Sequence, residues 1–211
     1  MIYVCAGMYR SGSTWLYNAV RLILQNANVP DLAAGLISDK EQLLKHKNSV
    51  IKTHNFEPDL VKRESLVLTS HRDLRDIAGS LVRKFNSDLP IKQLRETVES
   101  HAQWAPIAAY DLRYEDLLSD KPGQIKKLAQ ALRLPATAQA QLRYESISEA
   151  IDNEQFADGR ATAQRYDSVN LLHAGHITDG RHGSWKDTLT PQVVTEIEQE
   201  FGPWLAARNY F

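Results

Sequence analysis

The stretch that most constrains the fold is GMYRSGSTWL, which runs from Gly7 to Leu16. It follows a short apolar run, MIYVCAG, and it precedes residues up to Gln25 whose apolar side chains recur at helical spacing. The sequence therefore predicts a strand, a glycine-containing loop and a helix in succession. Such a unit directs backbone N–H groups and the N-terminus of a helix towards the loop, and this arrangement binds anions.

The loop differs from that of nucleoside triphosphatases, G-x-x-x-x-G-K-[ST]. Gly7 and Gly12 have the expected spacing, but Ser13 stands at the lysine position and Thr14 follows it. The cation lies earlier, at Arg10, whose guanidinium suits phosphate oxygens. A plain turn in which serine and threonine only cap the helix is the alternative. The combination of hydroxyls, glycine and arginine in so short a stretch favours an anion site.

Length and charge limit the remaining possibilities. The chain has 211 residues, enough for one domain with its own core. Its net charge of -1 gives no broad basic field, so we expect neither nucleic acid nor an anionic membrane as a partner. No apolar run is long enough to span a membrane. Cys5 is the only cysteine and no secretory leader is visible, and both observations predict a cytoplasmic location.

Further short apolar runs predict more strands, SVIKT at 49–53 and SLVLTS at 65–70, and YDLRYEDLL at 110–118 predicts a strand that runs into a turn. Periodic stretches predict helices over 74–85, 94–109 and 122–134, and a capped helix from Thr190 followed by a shorter one after Pro203. In the first of these helices we expect Ile77, Leu81 and Phe85 to face inward. Strands that alternate with helices indicate an α/β fold, a single domain over 1–211 with a central parallel β-sheet flanked by helices, similar to P-loop nucleoside triphosphate hydrolases.

One segment lacks such periodicity. Residues from about 153 to 181 are rich in Gly, Asp, Asn, Thr, Gln and His. Long irregular segments in compact domains are often functional, so we expect a lid over a substrate or cosubstrate here.

The run VIKTH carries a candidate catalytic pair. Lys52 and His54 lie two residues apart at the end of a predicted strand, so both side chains leave the same face. A histidine, with an ordinary pKa of ~6.5, suits a general base at neutral pH, and a lysine can stabilise charge on a leaving group. A single histidine at a strand end is more often structural. The lysine on its face and the nearby anion loop favour catalysis.

Five segments, in this order, resemble the signature segments of sulfotransferases that use 3′-phosphoadenosine 5′-phosphosulfate (PAPS): YRSGSTW, VIKTH, SHRDLRDIAGS, RYEDL and GRHGSWK. The resemblance extends from residue 2 to about residue 190. It implies in-line transfer of the sulfuryl group to a hydroxyl, or to an amine, with release of 3′-phosphoadenosine 5′-phosphate (PAP). It implies no metal.

The resemblance also implies roles for individual residues. It makes His54 the general base, and it makes Lys52 and Arg10 the cations at the leaving group. The residues implied at the cosubstrate are Arg10, Ser11, Gly12, Ser13 and Thr14 around the 5′-phosphate, Trp15 and Tyr114 at the adenine, Arg72 and Ser80 at the 3′-phosphate, and Gly180 and Arg181 in the closing segment. A surface ion pair with Asp73 or Asp76 is the alternative for Arg72. We expect Arg75 to be solvated.

The chain departs from the family pattern in two places. Arg10 stands where cytosolic members usually carry lysine, which alters the cation but keeps its charge. The Arg-Lys pair that usually precedes the first glycine is replaced by Thr178 and Asp179. A carboxylate near a phosphate is unfavourable, so either Arg181 or His182 supplies the cation, or the segment is shifted.

Two alternative functions remain open: a P-loop nucleotide or small-molecule kinase, and a non-catalytic nucleotide-binding protein. Ser13 at the lysine position argues against the kinase, and the intact Lys52–His54 pair argues against loss of catalysis. The acceptor is expected to be a small molecule, a glycan or a carrier-bound hydroxyl compound. Its expected walls are residues 85–105 and 153–181, with candidate contacts Phe85, Trp104, Phe156 and Tyr166. The sequence does not determine the oligomeric state.

Overall fold

The structure is a computed structural model that describes residues 1–61, 64–85, 91–154, 166–173 and 179–211. Its centre is one sheet of five parallel strands: β1 Ile2–Gly7, β2 Leu32–Leu36, β3 Asn48–Thr53, β4 Ser65–His71 and β5 Ala108–Arg113. Their order across the sheet is β2-β3-β1-β4-β5. The α/β fold with a central parallel sheet is thereby confirmed.

Helices connect and cover the strands. They are α1 Ser13–Asn26, α2 Lys40–Leu43, α3 Pro58–Val61, α4 Leu74–Phe85, α5 Ile91–Trp104, α6 Tyr114–Ser119, α7 Lys121–Ala131, α8 Ala136–Gln141, α9 Tyr144–Asp152 and α10 Pro191–Ala206. Three short 3₁₀-helices lie at Ile37–Asp39, Ala105–Ile107 and Ser184–Asp187. Within the described part of the chain, no helix has the length and apolar character that a membrane span requires.

Both faces of the sheet are buried because side chains alternate along each strand. Tyr3 and Cys5 of β1 join α1, α7 and α9 in one cluster of the core. Ile2 and Val4 of the same strand pack on the opposite face with Trp104 of α5. Burial raises the pKa of the Cys5 thiol, as expected for a small core residue.

Trp104 is therefore a core residue, and its predicted contact with the acceptor is wrong. Its indole is fully buried and donates from Nε1 to the carbonyl of Asn55 at 3.1 Å. A tryptophan on an amphipathic helix has the same apolar signal whether it faces the core or a ligand.

Three other sequence predictions need correction. β2, with the sequence LAAGL, was not predicted, because alanine and glycine carry a weak strand signal and pairing with β3 holds it. α10 is one helix that continues through Pro203, since Phe201 and Leu205 on either side pack into the same cluster with α4. Phe85 does not face inward: it is 62% exposed at the end of α4.

The strand register brings the ends of three strands to one edge of the sheet. Ala6 of β1 pairs with Thr53 of β3, and Gly7 pairs with Ser70 of β4. Consequently the loop after β1, His54 after β3 and Arg72 after β4 leave from neighbouring positions. The carboxyl edge of a parallel sheet is where α/β proteins bind ligands.

Gly7 is required by the close approach of β4 and α1. A Cβ atom at this position would overlap Ser70 Oγ and lie 2.7 Å from Ser13 Cβ. We expect Gly7→Ala to lower the free energy of unfolding by about 2 kcal/mol through overpacking, measured by urea denaturation. Gly202→Ala is the matched control: a Cβ there meets no atom within 4 Å, and alanine in a helix stabilises by up to about 1 kcal/mol. A Gly7→Ala protein as stable as the wild type would show that the loop adapts.

Candidate active site

The loop between β1 and α1 is tightly turned. Arg10 and Gly12 both have left-handed backbone conformations, with φ angles of 60° and 79°. No side chain of the described residues caps α1, and its first turn contains no acidic residue. Ser13 and Thr14 begin the helix and line an adjoining cavity. The positive end of the helix dipole therefore faces a cavity that can receive an anion.

Ser11 has a different place from the one expected. Its side chain is fully buried, and its hydroxyl donates to the carbonyl of Met8 at 2.7 Å. The same oxygen lies 2.7 Å from Ser70 Oγ. The hydroxyl therefore links the loop to β4, and Ser11 does not line the cavity.

The cavity at this edge has a volume of about 460 Å³, within the range of roughly 300–1,000 Å³ that small-molecule sites occupy. It brings together most of the residues predicted from the sequence. Those that line it are Arg10, Gly12, Ser13, Thr14, Trp15, Lys52, His54, Arg72, Ser80, Tyr114 and Gly180. Phe85 and Tyr166, two of the predicted acceptor contacts, also line it. Phe156 lies outside the described residues, as does most of the expected lid.

Lys52 and His54 form a hydrogen-bonded pair. His54 Nδ1 lies 2.7 Å from the carbonyl of Gly7, and a carbonyl can only accept, so Nδ1 carries the proton. His54 Nε2 is then unprotonated in the neutral ring, and it lies 3.1 Å from Lys52 Nζ, which donates to it. The nitrogen that can accept a proton is thus the one beside the lysine, as a general base requires.

Tyr9 supports the imidazole ring and was not predicted. Its ring stacks on that of His54, with centroids 4.0 Å apart and an interplanar angle of 24°. Tyr9 is exposed and lines the cavity. Its position directly before Arg10 in the loop was the only sequence signal, and it could not show the contact with a strand more than forty residues away.

Lys52 is the most strongly perturbed cation of the site. It is 4% exposed, and burial lowers the pKa of its ammonium from 10.5 to about 8. A buried lysine is destabilised as a cation until an anion reaches it. The side chain therefore favours a ligand that brings negative charge.

A second cationic group lies at the start of α4. Arg72 is buried, donates to the carbonyls of Arg10 at 3.2 Å and Arg181 at 2.7 Å, and stacks on the Tyr114 ring at 4.2 Å. Its Nε is buried with no hydrogen-bond partner among the described residues. Arg10 Nε donates to Ser80 Oγ at 2.8 Å, which joins the first loop to α4. Burial, and then the nearby charge of Arg72, lower the pKa of Arg10.

The closing segment is held by its backbone. The carbonyl of Gly180 accepts from the Tyr114 hydroxyl at 2.7 Å, and Gly180 lines the cavity. The Arg181 guanidinium instead points to solvent and pairs with Asp179 at 2.7 Å and Asp187 at 3.3 Å. The side chain of Arg181 therefore does not lie where a cation for the cosubstrate was expected, because it is not part of the cavity lining. Arg75 is also different from expectation: it is buried and pairs with Asp73 and Glu198.

A histidine cluster outside the cavity was not visible in the sequence. His71, His101 and Asp111 have ligand atoms within 4.8 Å of one another, as a metal site would. Arg208 Nη2 lies 3.4 Å from His101 Nδ1 and can only donate, so His101 Nε2 is the nitrogen that donates to Asp111. Burial raises the pKa of Asp111, but hydrogen bonds from His101 and His71 outweigh it and hold the pKa below its ordinary value.

Comparison with known proteins identifies a family model and structures of similar fold. The family model described as "Sulfotransferase domain" matches residues 75–208, which is more than half of the chain. This range leaves out the first loop and the Lys52–His54 pair. A search of curated protein sequences gives no match.

Among solved structures, the chain is similar to mouse sulfotransferase SULT7A1 complexed with PAP, at 14% identity over 97% of this chain and 83% of that one, with a TM-score of 0.66. It is also similar to retinol dehydratase in complex with retinol and PAP, at 18% identity over 97% and 80%, with a TM-score of 0.63. A complex of retinol dehydratase with androsterone and PAP gives 19% identity over the same shares and a TM-score of 0.60. At these identities the likeness is one of fold, and it includes the N-terminal elements that carry the loop.

The burial of Lys52 predicts a pH-dependent stability. Because its pKa is lowered from 10.5 to about 8, the unfolded chain binds more protons between these pH values, and stability rises with pH there. Lys52→Met should therefore raise the free energy of unfolding at pH 7, by an amount of the order of 3 kcal/mol. The gain should shrink as the pH rises above 8.

Urea denaturation at several pH values measures the free energy of unfolding of both proteins. Lys45→Met, at an exposed lysine, is the control. A gain that does not change with pH would show that Lys52 is not titrating in this window.

Proposed function

Because this chain belongs to the sulfotransferase domain family, we propose that its cavity binds PAPS and transfers the sulfuryl group to an acceptor hydroxyl. One observation supports this most directly. A lysine and a histidine in hydrogen-bond contact, Lys52 and His54, lie in the same cavity as the N-terminus of α1, which no side chain of the described residues caps. The pair provides a base and a cation, and the helix provides an anion site.

The proposed cosubstrate position follows from the distribution of charge. The N-terminus of α1 and Arg10 bind the 5′-phosphosulfate, since both line the cavity that Lys52 also lines. Arg72 and Ser80 bind the 3′-phosphate, and Arg72 Nε, which has no hydrogen-bond partner among the described residues, is a donor available to it. Trp15 and Tyr114 line the remainder of the cavity as the adenine site.

The proposed reaction begins with the proton of the acceptor hydroxyl. His54 Nε2 accepts this proton while the oxygen attacks sulfur, and the bond between sulfur and the bridging oxygen breaks. Lys52, which donates to Nε2 in the structure, turns its N–H towards that bridging oxygen and stabilises the charge left on PAP. The hydrogen bond from His54 Nδ1 to Gly7 keeps the tautomer and orients the ring during the transfer.

The acceptor we propose is a small molecule with a hydroxyl group. Tyr9, Phe85 and Tyr166 are exposed aromatic side chains that line the cavity. They offer an apolar surface to the body of such a molecule. The retinol dehydratase structures contain retinol and androsterone, which suits this proposal. Glycan or carrier-bound acceptors and a cytoplasmic location stay predictions of the sequence.

Replacement of the base tests the mechanism. His54→Ala removes the proton acceptor, so turnover should fall about 100-fold or more while the affinity for PAP changes little. PAP release from PAPS in the presence of a panel of phenols, alcohols and monosaccharides measures turnover, and calorimetry measures affinity. His46→Ala, at an exposed histidine that contacts Asp31, is the control.

A parallel collapse of turnover and PAP affinity would make His54 structural. Binding of PAP by the wild type without release of PAP from PAPS for any acceptor would favour a non-catalytic nucleotide-binding protein.

A further inference from the structure

Asp76 is a buried carboxylate that the proposed reaction does not use. It lies in the first turn of α4 and is 1% exposed. Burial of a carboxylate is strongly unfavourable unless hydrogen bonds and opposite charge compensate it. Its partners therefore show what the residue does.

The main partners of Asp76 are backbone amides of a segment more than a hundred residues away. Asp76 Oδ2 accepts from the N–H of Gly183 at 2.6 Å, and Oδ1 accepts from the N–H of Trp185 at 3.0 Å. The hydroxyl of Ser184 lies 3.3 Å from Oδ1. Gly183 has a φ angle of 72° and leads into the 3₁₀-helix Ser184–Asp187. The carboxylate thus occupies the N-terminus of this helix and fixes its position against α4.

The same segment reaches the cavity a few residues earlier. Gly180 lines the cavity and is bound through its carbonyl to Tyr114, and the carbonyl of Arg181 accepts from Arg72. Asp76 holds the end of the segment at Gly183. Because Arg72 and Tyr114 are both proposed ligands of PAPS, displacement of the segment would remove a hydrogen bond from each.

Asp76 also lies close to Arg72 without forming a tight pair with it. Arg72 Nη2 is 3.9 Å from Asp76 Oδ2, a longer distance than those from the amides to the carboxylate. The amides hold the carboxylate close enough to stabilise the buried guanidinium of Arg72. At this distance the N–H groups of the guanidinium can still donate to other groups. A phosphate can then approach Arg72 without displacing Asp76.

We propose that Asp76 is a positioning residue, which organises the segment 180–185 over the 3′-phosphate end of the cosubstrate and thereby sets the affinity for PAPS and PAP. This inference rests on the proposed function. It predicts an effect on binding more than on the chemical step, since Asp76 does not contact Lys52 or His54 among the hydrogen bonds and ion pairs of the described residues.

The test compares calorimetric titrations of wild type and Asp76→Asn with PAP and with ADP. Asparagine keeps the shape but places an NH₂ group against one amide donor. We expect PAP to bind at least about tenfold more weakly and ADP, which lacks the 3′-phosphate, to change at most about threefold. In Asp76→Asn the KM for PAPS should rise by a factor similar to that of the dissociation constant of PAP. The kcat at saturating PAPS should stay within about threefold of wild type.

Asp73→Asn is the matched control. Asp73 is also buried in the vicinity of Arg72, but it accepts from Arg75 and not from the closing segment. Simple electrostatics predicts that removal of either carboxylate strengthens the binding of an anion. A positioning role predicts weaker PAP binding for Asp76→Asn alone. Hydrogen exchange at the amides of Gly183 and Trp185 should accelerate in that variant and not in the control.

Gly183→Ala tests the same contact from the other side, including the case in which Asp76→Asn does not fold. A Cβ at Gly183 meets no atom within 4 Å, but alanine is strained at a φ of 72°. PAP binding should weaken at least about fivefold.

The outcomes separate this inference from the proposed function. Wild-type protein that does not bind PAP would overturn the proposed function. PAP binding that is unchanged in Asp76→Asn, equally weakened in Asp73→Asn, or unchanged in Gly183→Ala would overturn the role of Asp76 alone.

Discussion

The hydrogen bond between His54 Nδ1 and the carbonyl of Gly7 is the contact on which the proposed base depends. It joins the residue after β3 to the last residue of β1, at 2.7 Å, and so couples the proposed base to the anion loop. The strand register makes it possible, because Ala6 pairs with Thr53 and places the two strand ends side by side. The bond also fixes the tautomer, so Nε2, the nitrogen that faces Lys52, is unprotonated in the neutral ring. One backbone carbonyl therefore sets both the position and the chemistry of the base.

The site concentrates positive charge on side chains that are buried or partly buried. Lys52 is buried, and burial lowers the pKa of both Lys52 and Arg10. Buried positive charge lowers the free energy of unfolding, and a bound anion offsets this loss. Asp76 supplies the compensation near Arg72, and backbone amides keep its carboxylate from closing on that guanidinium. The buried positive charge thus has two effects: it attracts an anion, and it lowers the stability of the protein when no anion is bound.

The sequence was sufficient where the signal is local. The apolar runs of β1, β3 and β4 predicted three strands of the sheet, and the residues at and after their ends predicted the cations and the histidine of the cavity. It was insufficient where long-range contacts decide. The hydroxyl of Ser11 faces the sheet because Ser70 lies there, Trp104 fills the core beneath β1, and β2 depends on pairing with β3. The contact of Asp76 with Gly183 spans 107 positions, and no spacing rule reveals it.

Discrimination at the 3′-phosphate tests the central claim, that this cavity binds PAPS, most directly. Purified wild-type protein and Arg72→Ala are titrated calorimetrically with PAP, ADP and ATP plus Mg²⁺. If the cavity binds PAPS, the wild type prefers PAP over ADP by at least about tenfold, which is ~1.4 kcal/mol, and Arg72→Ala loses this preference. Equal binding of PAP and ADP by the wild type, or a preference for ATP with Mg²⁺, would contradict it and would assign the loop to an ordinary nucleotide.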